Sequence, residues 1–281
     1  METKIYTLII PRFEDIFHSY FAQEVIKGAS SSASRLKADL LIHITDRDTH
    51  DDWFSSVTLK SKLSDGILFA DIDHDRTALY KIISRKIPYL VLNNYFEEPI
   101  NCLAIDNYRA TLKVIEYLVS LGHERIATIC GDLNTEAGME RLKGYRDGLR
   151  AHKISVNERY IKNGDFLRTP ARQAATQLFS VSPLPTAIFA ASDVMALEAM
   201  DVAKQKGLKI PRQLSIVGFD DNPLNVYSSL GLTTVRQPIS EMARLGLETL
   251  HRIASGKEKL PAKSRLTARL IKRESCASCQ K

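Results

Sequence analysis

Carboxylate, amide, guanidinium and aromatic side chains recur in this sequence at one kind of place, just past the carboxyl ends of strand-like segments. Asn93-Asn94, Asp106, Asp165-Phe166, Ser192-Asp193, Asp220-Asp221 and Arg236-Gln237 all stand there. So do the segments Pro11 to Phe21 and Gly131 to Arg141. Such groups suit a polyhydroxylated small molecule. Arg and Asp take paired hydroxyls through bidentate hydrogen bonds, and an aromatic face covers the C–H side of a ring. Catalytic and phosphate-binding patterns are missing: there is no G-x-G-x-x-G, G-x-x-x-x-G-K-[ST], H-E-x-x-H or G-x-S-x-G. Ser34-Arg35-Leu36-Lys37 has S-x-x-K spacing but lies in a helical stretch without companion motifs. His43, His50, His74, His123 and His251 show no metal-ligand spacing. His123 follows a helix-ending Gly122, where the helix C-terminus accounts for it. No catalytic residue, metal or cofactor is expected, and an enzyme is disfavoured.

The elements that must position these groups follow one rhythm. Strands are expected at 5–10, 40–44, 66–70, 88–92, 102–105, 125–130, 187–190, 215–219 and 233–236. Helices are expected at 19–38, 107–121, 141–152, 170–179, 194–206 and 240–255. Runs such as Ala187-Ile188-Phe189-Ala190 are apolar at every position, the pattern of strands buried on both faces of a parallel sheet. Alternating βα units over the whole length give an α/β, doubly wound fold. In such sheets ligands bind beyond the carboxyl ends of the strands, which is where the polar groups collect. Thr169-Pro170 reads as a cap followed by Pro at the first helical position. Leu121-Gly122 and Lys206-Gly207 read as helix ends.

Length and composition set the outer bounds. The chain has 281 residues, 44% hydrophobic and 26% charged, enough for two lobes with sizeable cores. No apolar run reaches the ~18–20 residues of a membrane span, and the first residues carry no secretory signal pattern. Cys102 and Cys130 sit in apolar strands as small hydrophobes. Cys276 and Cys279 have C-x-x-C spacing near the chain end without a second pair or His to complete a zinc site. This usage fits a reducing cytoplasm. The formal charge is +6, and residues 257–281 carry eight basic against two acidic side chains, leaving 1–256 formally neutral. Lacking a recognition helix or interleaved aromatics, that window reads as a solvated edge rather than a DNA contact. From residue types alone, Arg141 and Asp220 fit a structural ion pair as readily as a ligand site. Phe166 equally fits a core aromatic, Ser192 a helix cap, and Gln237 a group satisfying backbone before Pro238.

Seven ordered segments carry a family resemblance. They are Leu121-Gly122-His123-Glu124-Arg125-Ile126-Ala127, Arg141-Leu142-Lys143-Gly144-Tyr145, Gly164-Asp165-Phe166 and Pro185 to Leu197. Leu214 to Asp221, Leu232 to Pro238 and Lys272-Arg273-Glu274-Ser275-Cys276 complete the set. Together they resemble the effector-sensing part of LacI/GalR-family transcriptional regulators, which is similar to periplasmic sugar-binding proteins. The resemblance implies two Rossmann-like doubly wound parallel-sheet lobes joined by three crossovers, of the type I periplasmic-binding-protein kind. It implies one lobe from 1–104 with 239–262, another from 105–238 with 263–281, and a ligand cleft between them.

Carried over by residue, the resemblance makes Arg141 and Asp220 the main polar ligand contacts and Phe166 the stacking aromatic. It makes Gln237 a hinge-side contact and Asp106 a direct or supporting carboxylate. Ser192, Asn93, Tyr20 and Phe21 complete the expected set. The chain departs from the family pattern in Ser192-Asp193 for Asn-Asp, in Asn93-Asn94 for Asp-Arg, and in a first loop about four residues longer. The aromatic pair there is Tyr20-Phe21 or stands one residue displaced. The implied partners are a sugar-like small-molecule effector and a second copy of the chain in a homodimer. Operator DNA would be reached only through a helix-turn-helix head that does not precede Ile5 in this sequence. The implied function is a cytoplasmic transcription regulator, a repressor for instance, in which lobe closure alters DNA binding. A solute-binding protein of sugar transport is the alternative.

Overall fold

The computed structural model describes residues 3–11, 19–45, 63–72, 76–223 and 230–279. The chain divides into two compact units, Met1–Ile105 with Pro238–Leu266 and Asp106–Gln237 with Thr267–Lys281, so it passes between them three times.

The first pass through unit 1 runs β1 (Ile5–Pro11), α1 (Tyr20–Leu36), β2 (Asp39–Thr45), β3 (Gly66–Phe69), α2 (Thr77–Ser84), β4 (Tyr89–Leu92) and β5 (Cys102–Ile105). Unit 2 follows with α3 (Asn107–Ser120), β6 (Ile126–Cys130), α4 (Glu136–Ala151), β7 (Ile161–Asn163) and α5 (Arg168–Leu178). It continues through β8 (Ala187–Ala190), α6 (Asp193–Gln205), β9 (Ser215–Val217) and β10 (Thr234–Arg236). The chain returns to unit 1 for α7 (Ile239–Ala254) and β11 (Lys263–Leu266), then ends in unit 2 with β12 (Arg269–Ile271).

Unit 1 holds one sheet in the order β11-β5-β4-β3-β1-β2, with every pairing parallel. Unit 2 holds β7-β6-β8-β9, also parallel, and an antiparallel β10-β12 pair. The strands β3, β4, β5, β6 and β8 are buried at every position, as continuous apolar runs between two helix layers must be. Ile67, Phe69, Val91 and Ile82 sit in the unit 1 core; Ile129, Ile188, Ala199 and Ile216 sit in that of unit 2. The strand order winds outward in both directions from β1/β3 in unit 1 and from β6/β8 in unit 2. At those switch points the crossovers leave on opposite faces and open a crevice at the carboxyl ends.

The expected strands and helices are all present, with several corrections. α4 starts at Glu136, capped by Thr135, whose hydroxyl accepts the Gly138 N–H, so Arg141 lies in its second turn rather than at its start. α5 starts at Arg168, and Thr169 is not its cap; Pro170 is tolerated in the first turn because its missing N–H has no helical partner there. Gly122 and Gly207 close their helices at φ 85° and 75°, conformations that favour glycine. α2, β7, β11 and β12 lie outside the expected set; they are short and gain their identity from neighbours. β11 carries the expected boundary at 262 further along, because Lys263–Leu266 pairs with β5 in the unit 1 sheet.

The basic C-terminal segment keeps Lys257, Lys259, Arg265, Arg269 and Lys272 exposed, as a solvated edge does, and is tied to unit 2 through Arg273 and Ser275. Ser275 is fully buried; its hydroxyl donates to the Ile216 carbonyl and accepts the Thr233 N–H. Arg273 donates to Asp221 at 2.6 Å and to the Leu232 carbonyl at 2.7 Å. His123 is likewise a buried cross-link, with Nδ1 3.0 Å from the Thr186 hydroxyl and Nε2 3.0 Å from that of Ser215. Burial pushes its pKa down, so it serves as a neutral ring rather than as a charge at a helix end.

Candidate functional site

Arg141 organises the carboxyl end of the unit 2 sheet. It is 4% exposed. Its Nε–H donates to Asn107 Oδ1 at 2.9 Å and its Nη1 to the Ala191 carbonyl, just past β8. Its Cζ lies 3.8 Å from the Phe219 ring centre and 5.4 Å from that of Phe166. Two aromatic faces and two acceptors thus fix the guanidinium plane, the arrangement in which a buried cation is best tolerated.

Phe166 owes its place to local backbone. Asp165 and Phe166 have φ of 52° and 61°, a left-handed turn that costs of order 1–2 kcal/mol for each non-glycine residue. The ring lies over the end of β6, where a Cβ on Gly131 would stand 1.9 Å from Phe166 Cζ. Only glycine leaves room for it.

Two adjacent carboxylates have opposite fates. Asp221 is partly desolvated, but hydrogen bonds from Arg273 and Arg236, each 2.6 Å, hold its carboxyl below the usual range. Asp220, at φ 139°, is half-buried and receives Gln237 Nε2 at 2.6 Å. Burial, and after it the neighbouring Asp193 carboxylate, push Asp220 up to about 7, against the opposing pull of Arg141 and Gln237. Asp193 itself is fully buried beneath, accepting the Asn222 N–H at 2.7 Å and the Thr234 hydroxyl. Asp221 is therefore an ion-pair anchor. Asp220 is the carboxyl whose charge is poised to respond to what approaches it.

Of the expected site residues, the structure brings Arg141, Asp220, Phe166 and Gln237 together. Ser192 caps α6 by accepting the Met195 N–H at 3.3 Å, and Asp106 caps α3 by accepting the Arg109 N–H at 3.0 Å. Asn93, Tyr20 and Phe21 belong to unit 1. Asn93 follows β4 at φ 65° with its Oδ1 buried and unbonded, while Tyr20 and Phe21 open α1, half-buried. Residues 12–18 of the first loop lie outside the described residues. Sequence reasoning missed the roles of Asp193, Phe219 and Asn107. An Asp at the first helical position after a serine cap was the available signal for the first, and nothing local marked the other two.

The periplasmic binding protein-like domain family matches residues 115–276. The HTH-type transcriptional regulator DegA of Bacillus subtilis is 34% identical over 277 residues, 97% of this chain and 81% of DegA. The HTH-type transcriptional repressor CytR of Escherichia coli K12 is 33% identical over 247 residues, 86% of this chain and 70% of CytR. Among solved structures, the complex of the transcriptional regulator CelR with cellobiose superposes with a TM-score of 0.90. It is 27% identical, over 97% of this chain and 84% of that one. The chain belongs to the LacI-type family of transcriptional regulators. It corresponds to the effector-binding part of a LacI-type regulator, and its doubly wound parallel sheets are those of the family. No helix among the described residues is long and apolar enough to cross a membrane.

Proposed function

We propose that this LacI-type chain senses a neutral, hydroxyl-rich small molecule, a sugar or sugar derivative. Arg141, Asp220 and Phe166 are its polar and stacking contacts, and Gln237, Asp106 and Ser192 support them. Asn93, Tyr20 and Phe21 are the contacts unit 1 offers. The observation that carries this reading is the Arg141 guanidinium held between Phe219 and Phe166 beside the half-buried Asp220. A fixed donor, an acceptor and an aromatic face are what a sugar ring requires.

The charge balance favours a neutral ligand over a phosphorylated one. Arg141 already faces the carboxylates of Asp220 and Asp193, so a phosphate approaching it meets like charge. The cellobiose bound by CelR supports the same class. Effector binding would bias a homodimer between states of different operator affinity, with DNA read by a helix-turn-helix segment of the kind named in the relatives. The coupling expected of such a system is about 1–3 kcal/mol. In this reading the chain has no catalytic role.

Thermal-shift and calorimetric titration with cellobiose, ribose and other neutral sugars, alongside their phosphates, tests the proposal. A neutral sugar should raise the melting temperature while its phosphate does not. Stabilisation by phosphates alone, or by no sugar, would reject it.

A further inference from the structure

Both charged groups of the candidate site are held by amide side chains that flank points where the chain changes units. Unit 2 begins at Asp106, and Asn107, the next residue, accepts the Arg141 Nε–H. Unit 2 is left at Gln237, which donates to Asp220. We infer that Asn107 is a positioning residue for the effector site: its side-chain oxygen sets the orientation of the Arg141 guanidinium. The consequence for binding rests on the function proposed above; the orientation itself does not.

The geometry leaves little freedom at this contact. Asn107 is 1% exposed, and the partners are 34 residues apart in sequence. Its backbone carbonyl accepts the Thr111 hydroxyl at 2.9 Å, tying down the first turn of α3. α3 and α4 approach closely there, since a Cβ on Gly144 would stand 2.8 Å from both the Tyr108 carbonyl oxygen and Thr111 Cβ. The side chain of Asn107 is thus delivered to Arg141 by rigid backbone on both sides.

A guanidinium has five N–H donors in a fixed planar fork, so two anchored nitrogens determine where the others point. Nη1 is anchored on the Ala191 carbonyl and Nε on Asn107. Stacking on Phe219 fixes the plane but not rotation within it. Removing the Asn107 acceptor takes away the anchor at Nε, the contact that sets rotation of the fork within that plane. Asn107 need not touch the effector to govern how Arg141 presents its donors.

Nitrogen-15 spectroscopy of arginine side chains in the whole chain tests this without a ligand. Wild type should show one slowly exchanging Nε–Hε resonance that Arg141→Lys abolishes. Asn107→Leu should shift that resonance and expose it to rapid exchange. Asn107→Asp, which keeps the acceptor and adds charge, should retain its protection and move it downfield. With cellobiose as the binding probe, Asn107→Leu should weaken affinity at least tenfold and Asn107→Asp much less. In an Arg141→Lys background the Asn107→Leu change should have no further effect.

A resonance unmoved in both Asn107 variants overturns the inference, even if Asn107→Leu folds poorly and only the Asp variant is measurable. Unchanged cellobiose affinity in a folded Asn107→Leu chain overturns it too. Failure of wild type to bind any neutral sugar would instead reject the proposed function and leave the resonance test standing.

Discussion

The two units wind their central strands in the same order yet finish the carboxyl ends of their sheets with different chemistry. In unit 2 the end is ionic: Arg141, Asp193 and Asp220, each committed to hydrogen-bond partners on other elements. In unit 1 the two residues directly after β4 are neutral amides, and the buried carboxylate, Asp71, stands past β3 instead. Asn94 bridges both the N–H and the carbonyl of Ile72, at 3.0 and 2.8 Å, and Asn93 stands beside it in a left-handed turn. The difference follows from the cost of burial. A buried charge must be matched by several fixed partners, whereas an amide satisfies itself on one loop backbone. In unit 2 those partners come from α3, β10 and the loops after β8, β9 and β10, whereas Asn94 draws on the backbone of Ile72.

The largest expected effect separates the two frameworks directly. Asp193→Ala strands the Asn222 N–H and the Thr234 hydroxyl in a buried place. It should lower the unfolding free energy by roughly 2–5 kcal/mol. Asn94→Ala strands only the Ile72 groups and should cost about 1–3 kcal/mol. Urea denaturation of both variants gives the comparison; a larger loss from Asn94→Ala would break it.

Next comes the site charge. Asp220→Ala should weaken binding of a neutral sugar by about 1–3 kcal/mol, several-fold to a hundredfold, with the fold retained. Asn93→Ala should weaken it less, since an amide contact lacks charge. Isothermal titration of the two variants ranks them, and the reverse order would move the weight of recognition to unit 1.

The same residue makes a pH prediction. The Asp220 carboxyl ionises near 7 in the folded chain against 3.8 for a free side chain. The folded state therefore holds the proton more tightly. The stabilisation this lends is fully present below about 3.8 and is lost as pH rises through about 7. Asp220→Asn, which mimics the protonated acid, should melt higher than wild type at pH 8 and show no such gain at pH 4. A difference independent of pH would show that this carboxyl is not perturbed.

The smallest effect sharpens the role of Ser192. As a cap for α6, its replacement by Ala should cost about 1 kcal/mol of stability. A loss of sugar affinity with unchanged stability would make it a ligand contact instead.

Much of the fold was legible because it rests on local signals. Ala187-Ile188-Phe189-Ala190 can be read as a doubly covered strand without knowing its neighbours, and Gly122 marks a helix end by its own conformational freedom. Elements that lack such signals were not: β7 and β12 have three residues each, and only pairing makes them strands. The apolar face of α7 is spent inside unit 1, with Met242, Leu247 and Leu250 fully buried. Periodicity says that a helix has an apolar face, not what covers it.

The site divides along the same line. Sequence alone determined which residue types stand past the strand ends, and the family resemblance singled out Arg141, Phe166, Asp220 and Gln237. Only the tertiary structure decided what each of them does. Arg141 meets Asn107 across 34 residues, Asp193 meets Thr234 across 41, and Ser275 enters the sheet beside Ile216 across 59. Those distances close because strand order, not sequence order, fixes which loops become neighbours. Asp220 and Asp221 make the point most sharply. They are identical in type and adjacent in sequence, and folding sets them apart: burial and the Asp193 carboxylate push Asp220 up, while hydrogen bonds from Arg273 and Arg236 hold Asp221 down.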